Sequence, residues 1–254
     1  MIRFMFVLVL AAFGLFASAL PMPAAATSHW TPLLGCPDVD GDGQVLVGDI
    51  VEVVGSYFVD YPSDEYLFLR DINADGKVRI DDIQSVVSRY FEVCPLVDTQ
   101  VAQATQAVLQ YRDQNAAIAD GYLQGTQNIM GHGVHYINWA LVGDGVFDPT
   151  RPEGLNYSLD GKLLALYWID PLWMPGHEQP PAGFDGAEEM WHEHPLLCAW
   201  QGTGGPMVAE NVAQADCLSR PGGIWFESFG WMVHLWSFLP NEHGRFEMHN
   251  PDAG

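Results

Sequence analysis

A twelve-residue pattern that occurs twice constrains this chain more than any other feature. Asp38-Val-Asp-Gly-Asp-Gly-Gln-Val-Leu-Val-Gly-Asp49 sets Asp38, Asp40 and Asp42 at positions 1, 3 and 5, Gly43 at position 6 and Asp49 at position 12. Asp71, Asn73, Asp75, Gly76 and Asp82 repeat those positions, and the register holds through Ile50/Ile83, Val53/Val86, Val54/Val87, Tyr57/Tyr90 and Phe58/Phe91. Alternate oxygens in a tight loop are what a hard cation needs, because calcium takes six to eight of them. Position 7 supplies a backbone carbonyl (Gln44, Lys77), the glycine takes the sharp turn, and the acid at position 12 closes the cage from the first turn of a helix. A single acidic loop is more often a solvated turn. Two in register, each followed by helical apolar spacing, predict two bound Ca2+ ions.

One calcium loop and helix, a linker, then a second loop and helix resembles a type I dockerin, over roughly Cys36 to Cys94. The resemblance implies a small all-α, paired F-hand module at residues 36–95, with a cohesin-like or cell-surface protein as partner. It also implies a link to polysaccharide breakdown, and so to glycans. The ligand positions match the family. Positions 10 and 11, often a Ser-Thr type pair there, are Val47-Gly48 and Ile80-Asp81 here, and position 9 is Leu46 or Arg79.

Residues 1–26 read as a secretory signal peptide, with Arg3, an apolar run from Phe4 to Leu20 and small residues at Ala17-Ser-Ala19 and Ala24-Ala-Ala26. The alternative is an uncleaved anchor. Leu20–Leu34 is rich in proline and alanine, residues 27–35 form the lead that follows the signal, and no later stretch is apolar enough to span a bilayer. In an exported chain the four cysteines suggest two disulfides, most economically Cys36–Cys94 and Cys198–Cys217. The formal net charge of −22 excludes nucleic acid and anionic lipid as partners.

Residues 96–254 read as a second, α+β domain. Asp98 is placed to cap one long helix, with Val97, Val101, Ala104, Val108, Tyr111 and Ile118 on one stripe and Gly121 as its stop. That helix is expected to pack on the second domain. Strands are expected at 135–141 and on both sides of the Asp160-Gly161 hairpin turn. A further β-rich region spans 225–238, with a bulge at Gly230. A short helix is expected within 186–197. The fold class is therefore a small all-α calcium module followed by an antiparallel-sheet α+β domain.

Eight of the nine histidines and eight of the nine tryptophans lie in this domain. Gly131-His-Gly-Val-His135, Glu188-Glu-Met-Trp-His-Glu-His194 and Val233-His-Leu-Trp236 are the groupings that could hold a transition metal, zinc or copper foremost. His135 and His234 come from separate β-rich stretches, and Glu153, His132, His192 and His194 are their candidate companions. The competing reading is packing, since a histidine among tryptophans commonly makes one hydrogen bond in a half-buried place. Trp231 and Trp236 read as core, whereas Trp173, Trp191 and Trp200 could form a sugar-stacking platform. His135-Tyr, Pro152-Glu153, Leu155, Tyr157, His234-Leu-Trp236, Asn241, Gly244, Phe246 and Asn250-Pro251 together resemble secreted bacterial proteins of unassigned function, which transfers no activity. No nucleophile elbow, Walker loop or dinucleotide fingerprint is present. Three roles compete: a metal-binding domain carried by a calcium module, a carbohydrate-binding or carbohydrate-processing module, and a structural surface protein.

Overall fold

The computed structural model describes residues 30–171, 179–186 and 191–254. The expected signal peptide, residues 27–29 of the lead, Trp173, His177, Glu188 and Glu189 lie outside them. The described chain is mixed α+β and mostly sheet, with six α-helices and seven strands.

In the N-terminal region the repeat is reproduced in three dimensions. Helices α1 (Val47–Val54) and α2 (Ile80–Ser88) each begin just before the position-12 acid. Asp49 accepts from Leu46 N and Asp82 from Arg79 N, so each acid satisfies an N–H that the helix start leaves open. Each loop pairs with the segment that follows the other helix, Gln44 with Val93 and Lys77 with Asp60. Phe58 and Phe91 both take φ 72°, a backbone state that bulky residues seldom adopt. The Cys36–Cys94 disulfide closes this region, with the Cα atoms 5.6 Å apart.

The long helix of the sequence reading is broken in three. Helix α3 (Leu96–Ala107) is followed by a 3-10 turn at Leu109–Arg112 and then α4 (Gln114–Ala119). Asp113 starts α4 by accepting from Asn115 N, a cap inside what the apolar stripe presented as continuous. Asp98 is not a cap either; Pro95 is. The Asp98 carboxylate is buried, accepts from Gly35 N and Cys36 N, and pairs with Arg245 at 2.5 Å. The polar residues of α3 meet the first acidic loop: Thr99 Oγ1 donates to Asp38, Gln103 to Gly41 O and Gln106 to Val39 O. Val101, Ala102 and Ala104 are fully buried, and the apolar cluster they join runs from Leu33 and Val53 to Leu155 and Val233. One core therefore spans both regions.

The sheet is antiparallel throughout, in the order β1-β2-β3-β4-β7-β5-β6. Its strands are β1 (Leu123–Gln124), β2 (Val134–Ile137), β3 (Gly154–Tyr157), β4 (Leu163–Pro171), β5 (His192–Gln201), β6 (Pro206–Ala209) and β7 (Ile224–Leu235). Strand β4 reads Leu-Leu-Ala-Leu-Tyr-Trp-Ile-Asp-Pro and is buried on both faces, as a central strand should be. Its hairpin to β3 turns at Gly161, as expected, with Ser158 N donating to Lys162 O. The edges curl towards each other: Val208 N beside β6 donates to Gly125 O just after β1 at 2.6 Å, so the sheet nearly closes into a barrel.

Two local readings change. Strand β2 stops at Ile137, because Asn138 accepts from Ala140 N and opens the short helix α5 (Trp139–Val142). The helix expected within 186–197 is in its described part strand β5, where His192 and His194 alternate with exposed Glu193 and Pro195. The bulge expected at Gly230 is present: β5 and β7 pair Glu193 with Trp231 and Pro195 with Ser228, leaving Phe229 and Gly230 opposite His194 alone. Helix α6 (Gln214–Leu218) is tied to β5 by the Cys198–Cys217 disulfide, completing both expected pairings. No described helix is long and apolar enough to cross a membrane.

Candidate metal centre

Sheet order assembles a histidine cluster that no local motif contains. His135 on β2 lies opposite Asn156 on β3, His234 on β7 opposite Tyr167 on β4, and His192 on β5 opposite Met232 on β7. Those side chains share the concave face of the sheet. The bulge on β7 turns the strand where His194 follows, and His194 is buried. His132 enters from the turn before β2. Gly131 and Gly133 flank it with φ of 82° and 76°, and a Cβ on Gly133 would meet Tyr157 O at 2.5 Å. Asn156 Nδ2 donates to His132 O, and Asn250 N to Gly131 O, which brings the C-terminal segment and His249 against the same turn.

The result is a connected group of six imidazoles. Ring centres are 4.4 Å apart for His132–His249, 5.7 Å for His132–His135, 5.3 Å for His132–His234 and 5.8 Å for His135–His234. His192 stacks on His234 at 5.4 Å and touches His194 at 4.9 Å. Three imidazoles bound to one ion at about 2.0–2.1 Å would place their ring centres roughly 5–5.5 Å apart. The observed spacing is close to that. Among the described residues only Asp38, Asp40 and Asp42 already hold three ligand atoms within 4.8 Å of one another, so the imidazoles would have to turn about χ1 and χ2 to close on an ion.

Hydrogen bonding separates the six by role. Both ring nitrogens of His234 and of His132, and Nε2 of His194, are buried without a hydrogen-bond partner. The Met130 backbone lies near the His132 ring but outside hydrogen-bond geometry. Each unmet buried polar atom costs about 1–3 kcal/mol, which a ligand would recover. His135 differs: Asn156 Nδ2 stands 3.3 Å from its Nε2 and Thr126 Oγ1 3.4 Å from its Nδ1. The Asn156 amide is fixed by its bond to His132 O, so Nε2 of His135 is the acceptor and Nδ1 carries the proton. His194 Nδ1 bonds Glu210 on the neighbouring hairpin strand's end, the carboxylate–histidine arrangement that orients a ligating ring.

Burial decides the protonation states. It pushes His132 down to about 4 and holds His135 and His234 well below the ordinary histidine value, with neighbouring imidazoles adding to the effect. All three are neutral at physiological pH, the form that binds metal. Burial pushes Glu210 up, but the His194 hydrogen bond and the adjacent imidazoles outweigh it and keep the carboxyl below its usual range. Beside the cluster lies a small cavity of about 30 Å³. Its apolar wall includes Ile137, Ile169, Val208 and Phe229, and His135, His194 and Glu210 reach it.

Among the residues singled out from sequence, His132, His135, His192, His194 and His234 come together, but Glu153 does not join them. Its carboxyl accepts from Ile169 N, feels Asp144 and Asp170 most among charged groups, and is pushed up to about 8 by burial. Glu210 and His249 take the companion role. Glu210 sits in Val-Ala-Glu-Asn, which carries no local signal. Exposed His243 pairs with Glu242 instead. The tryptophan platform is not formed from its described members: Trp191 is buried, and Arg220 covers one face of Trp200 at 4.1 Å. Trp236 is core as expected, stacked on His234 at 5.9 Å.

In the first acidic loop Asp38, Asp40 and Asp42 each offer a carboxylate oxygen within 4.8 Å of the others. Asp38 accepts from Asp42 N and Gly43 N, and Asp71 from Asp75 N, Gly76 N and Tyr66 OH. Burial and then repulsion from Asp49 and Asp42 push Asp40 up to about 6. Burial likewise raises Asp82 to about 6 despite the Arg79 backbone bond, with the charge of Asp71 adding to it. Like charges crowded this way favour a cation.

No known protein family, curated protein or solved structure matches this chain.

Proposed function

We propose that this is an exported protein in which a dockerin-like, two-calcium module carries a sheet domain that binds a transition metal through histidines. One observation carries the metal reading: six histidines from four separate stretches of chain converge on one concave face, and several of their ring nitrogens are buried without partners. Unmet imidazole nitrogens in an apolar wall are a costly way to pack a core, and an ordinary way to build a site for zinc or copper. His132, His194 and His234 are the ligands best supplied with free nitrogens, Glu210 orients His194, and His135 is a positioning residue.

Asp38, Asp40, Asp42, Gln44 O and Asp49 would hold one calcium, and Asp71, Asn73, Asp75, Lys77 O and Asp82 the other. The ion would neutralise the crowded carboxylates there. The docking role is supported by the outer faces of α1 and α2, where Val47, Val51, Val54 and Phe58 and their counterparts Ile80, Val87 and Phe91 are exposed. Scattered apolar residues need no explanation, but a duplicated face suits a partner protein.

The test is metal content of the full chain, produced without a histidine tag and offered zinc or copper after chelation. His234→Ala and His132→Ala should each lose bound metal. His135→Ala should keep it and melt at a lower temperature. A wild-type chain holding less than one equivalent of every metal offered would leave the histidines as packing residues.

A further inference from the structure

Six imidazoles and a carboxylate are about twice what one catalytic ion takes from a protein. Their arrangement shows how they divide. Around a single octahedral ion every pair of ring centres would lie within roughly 6.5 Å, with neighbours near 4.5 Å. The rings here are drawn out instead: His132, His135 and His234 form a triangle 5.3–5.8 Å on a side, and a string of ring contacts leads away from it at both ends. Among the described residues His249 makes ring contact with His132 as its only histidine neighbour, and His194 with His192. The two ends of such a string cannot share an ion.

The string passes through His234. Ring contacts run from His234 to His132 at 5.3 Å and on to His249, and from His234 to His192 at 5.4 Å and on to His194, which bonds Glu210. A ligating histidine ordinarily directs its second ring N–H to an acceptor. His234 has no acceptor on either nitrogen, and its ring is completely buried. Both edges of that ring are therefore open to an ion.

We infer that the cluster holds two transition-metal ions, one on each side of His234: the first with His132 and His249, the second with His192 and His194 oriented by Glu210. This rests on the metal-binding reading above and deepens it. Ions on opposite nitrogens would hold His234 as an imidazolate, its N–H proton released to solvent as the second ion binds, and would stand roughly 6 Å apart, given metal–nitrogen bonds of about 2.0 Å. At that separation two paramagnetic ions sense each other, which gives the inference a signature that packing lacks. His249 is exposed, so the first ion would lie nearer solvent, and the second would face the small apolar cavity.

The experiment loads the chelator-stripped full chain with copper(II) in saturating calcium, so that the acidic loops are occupied, and counts copper after desalting. Two equivalents are expected, with a magnetically coupled electron paramagnetic resonance spectrum. The His192→Ala/His194→Ala double variant should hold one equivalent with an uncoupled signal. Should that variant fail to fold, Glu210→Gln serves: its second equivalent should bind about 10–100-fold more weakly than the first, with an unchanged circular dichroism spectrum. Saturation at one equivalent, or two with no coupling, overturns the two-ion centre and leaves the metal-binding reading standing. No bound copper overturns the two-ion centre, and failure to bind zinc as well overturns the metal-binding reading with it.

Discussion

Single buried residues behave differently from the same residue types in solution. Glu153 is the clearest case outside the histidines, because its carboxyl is buried and pushed up to about 8. In the unfolded chain it ionises near its ordinary 4.5, whereas the folded chain keeps it protonated to higher pH. Over that interval the unfolded state binds fewer protons, so stability falls as pH rises from about 4.5 to about 8 and levels off above. Glu153→Gln should remove this slope and raise stability at pH 8 to 9 by about 2–5 kcal/mol. Thermal melts of both proteins from pH 5 to pH 9 check it. Parallel curves would mean that Glu153 ionises normally and that its burial is relieved some other way.

At the scale of the element, turns and bulges aim the ligands. The Gly131-His-Gly133 turn is held by Asn156 from β3 and by Asn250 from the C-terminal segment, so the backbone that carries His132 is fixed. Gly133→Ala should cost about 1–3 kcal/mol, because the residue takes a positive φ and its new Cβ would press on Tyr157 O at 2.5 Å. It should weaken metal binding as well, by displacing His132. Chemical denaturation with and without bound metal measures both effects. A variant whose metal affinity and metal-induced gain in stability both match wild type would remove His132 from the ligand set. Gly230 has the same kind of role on β7, since the bulge there leaves His194 facing two residues instead of one.

Across the whole molecule, the region of the two acidic loops and the sheet share one apolar core, and α3 joins them through polar bonds to the first acidic loop. Thr99 donates to Asp38 itself, the residue at position 1 of that loop. Occupancy of the loops should therefore be felt in the sheet. Removing calcium from the full chain should lower a single melting transition, seen equally by far-ultraviolet circular dichroism and by tryptophan fluorescence. The double variant Asp38→Ala/Asp71→Ala should melt at one temperature with or without calcium. Two separate transitions in wild type, with the tryptophan signal indifferent to calcium, would show that the shared core does not couple the regions.

What the sequence determined by itself was whatever a short stretch encodes. The shape of the two loops, the hairpin at Gly161, the bulge at Gly230 and the grouping of cysteines all follow from neighbours within a dozen or so residues, or from an economical pairing. Apolar periodicity misled in the one long helix, because it records which residues are buried and is blind to the cap at Asp113 that breaks the backbone. The β5 strand was hidden for a related reason: Glu188 and His192 would share a helix face, His192 and His194 a strand face, and only a partner strand selects between them. The centre belongs wholly to tertiary structure. His132 and His234 are far apart in the chain and meet because β4 and β7 pair across the sheet, while the β5–β6 hairpin brings Glu210 to His194. Sequence named most of these histidines as ligand types. Which ring nitrogens stay without partners, and so can reach a metal, was decided only by what each imidazole packs against.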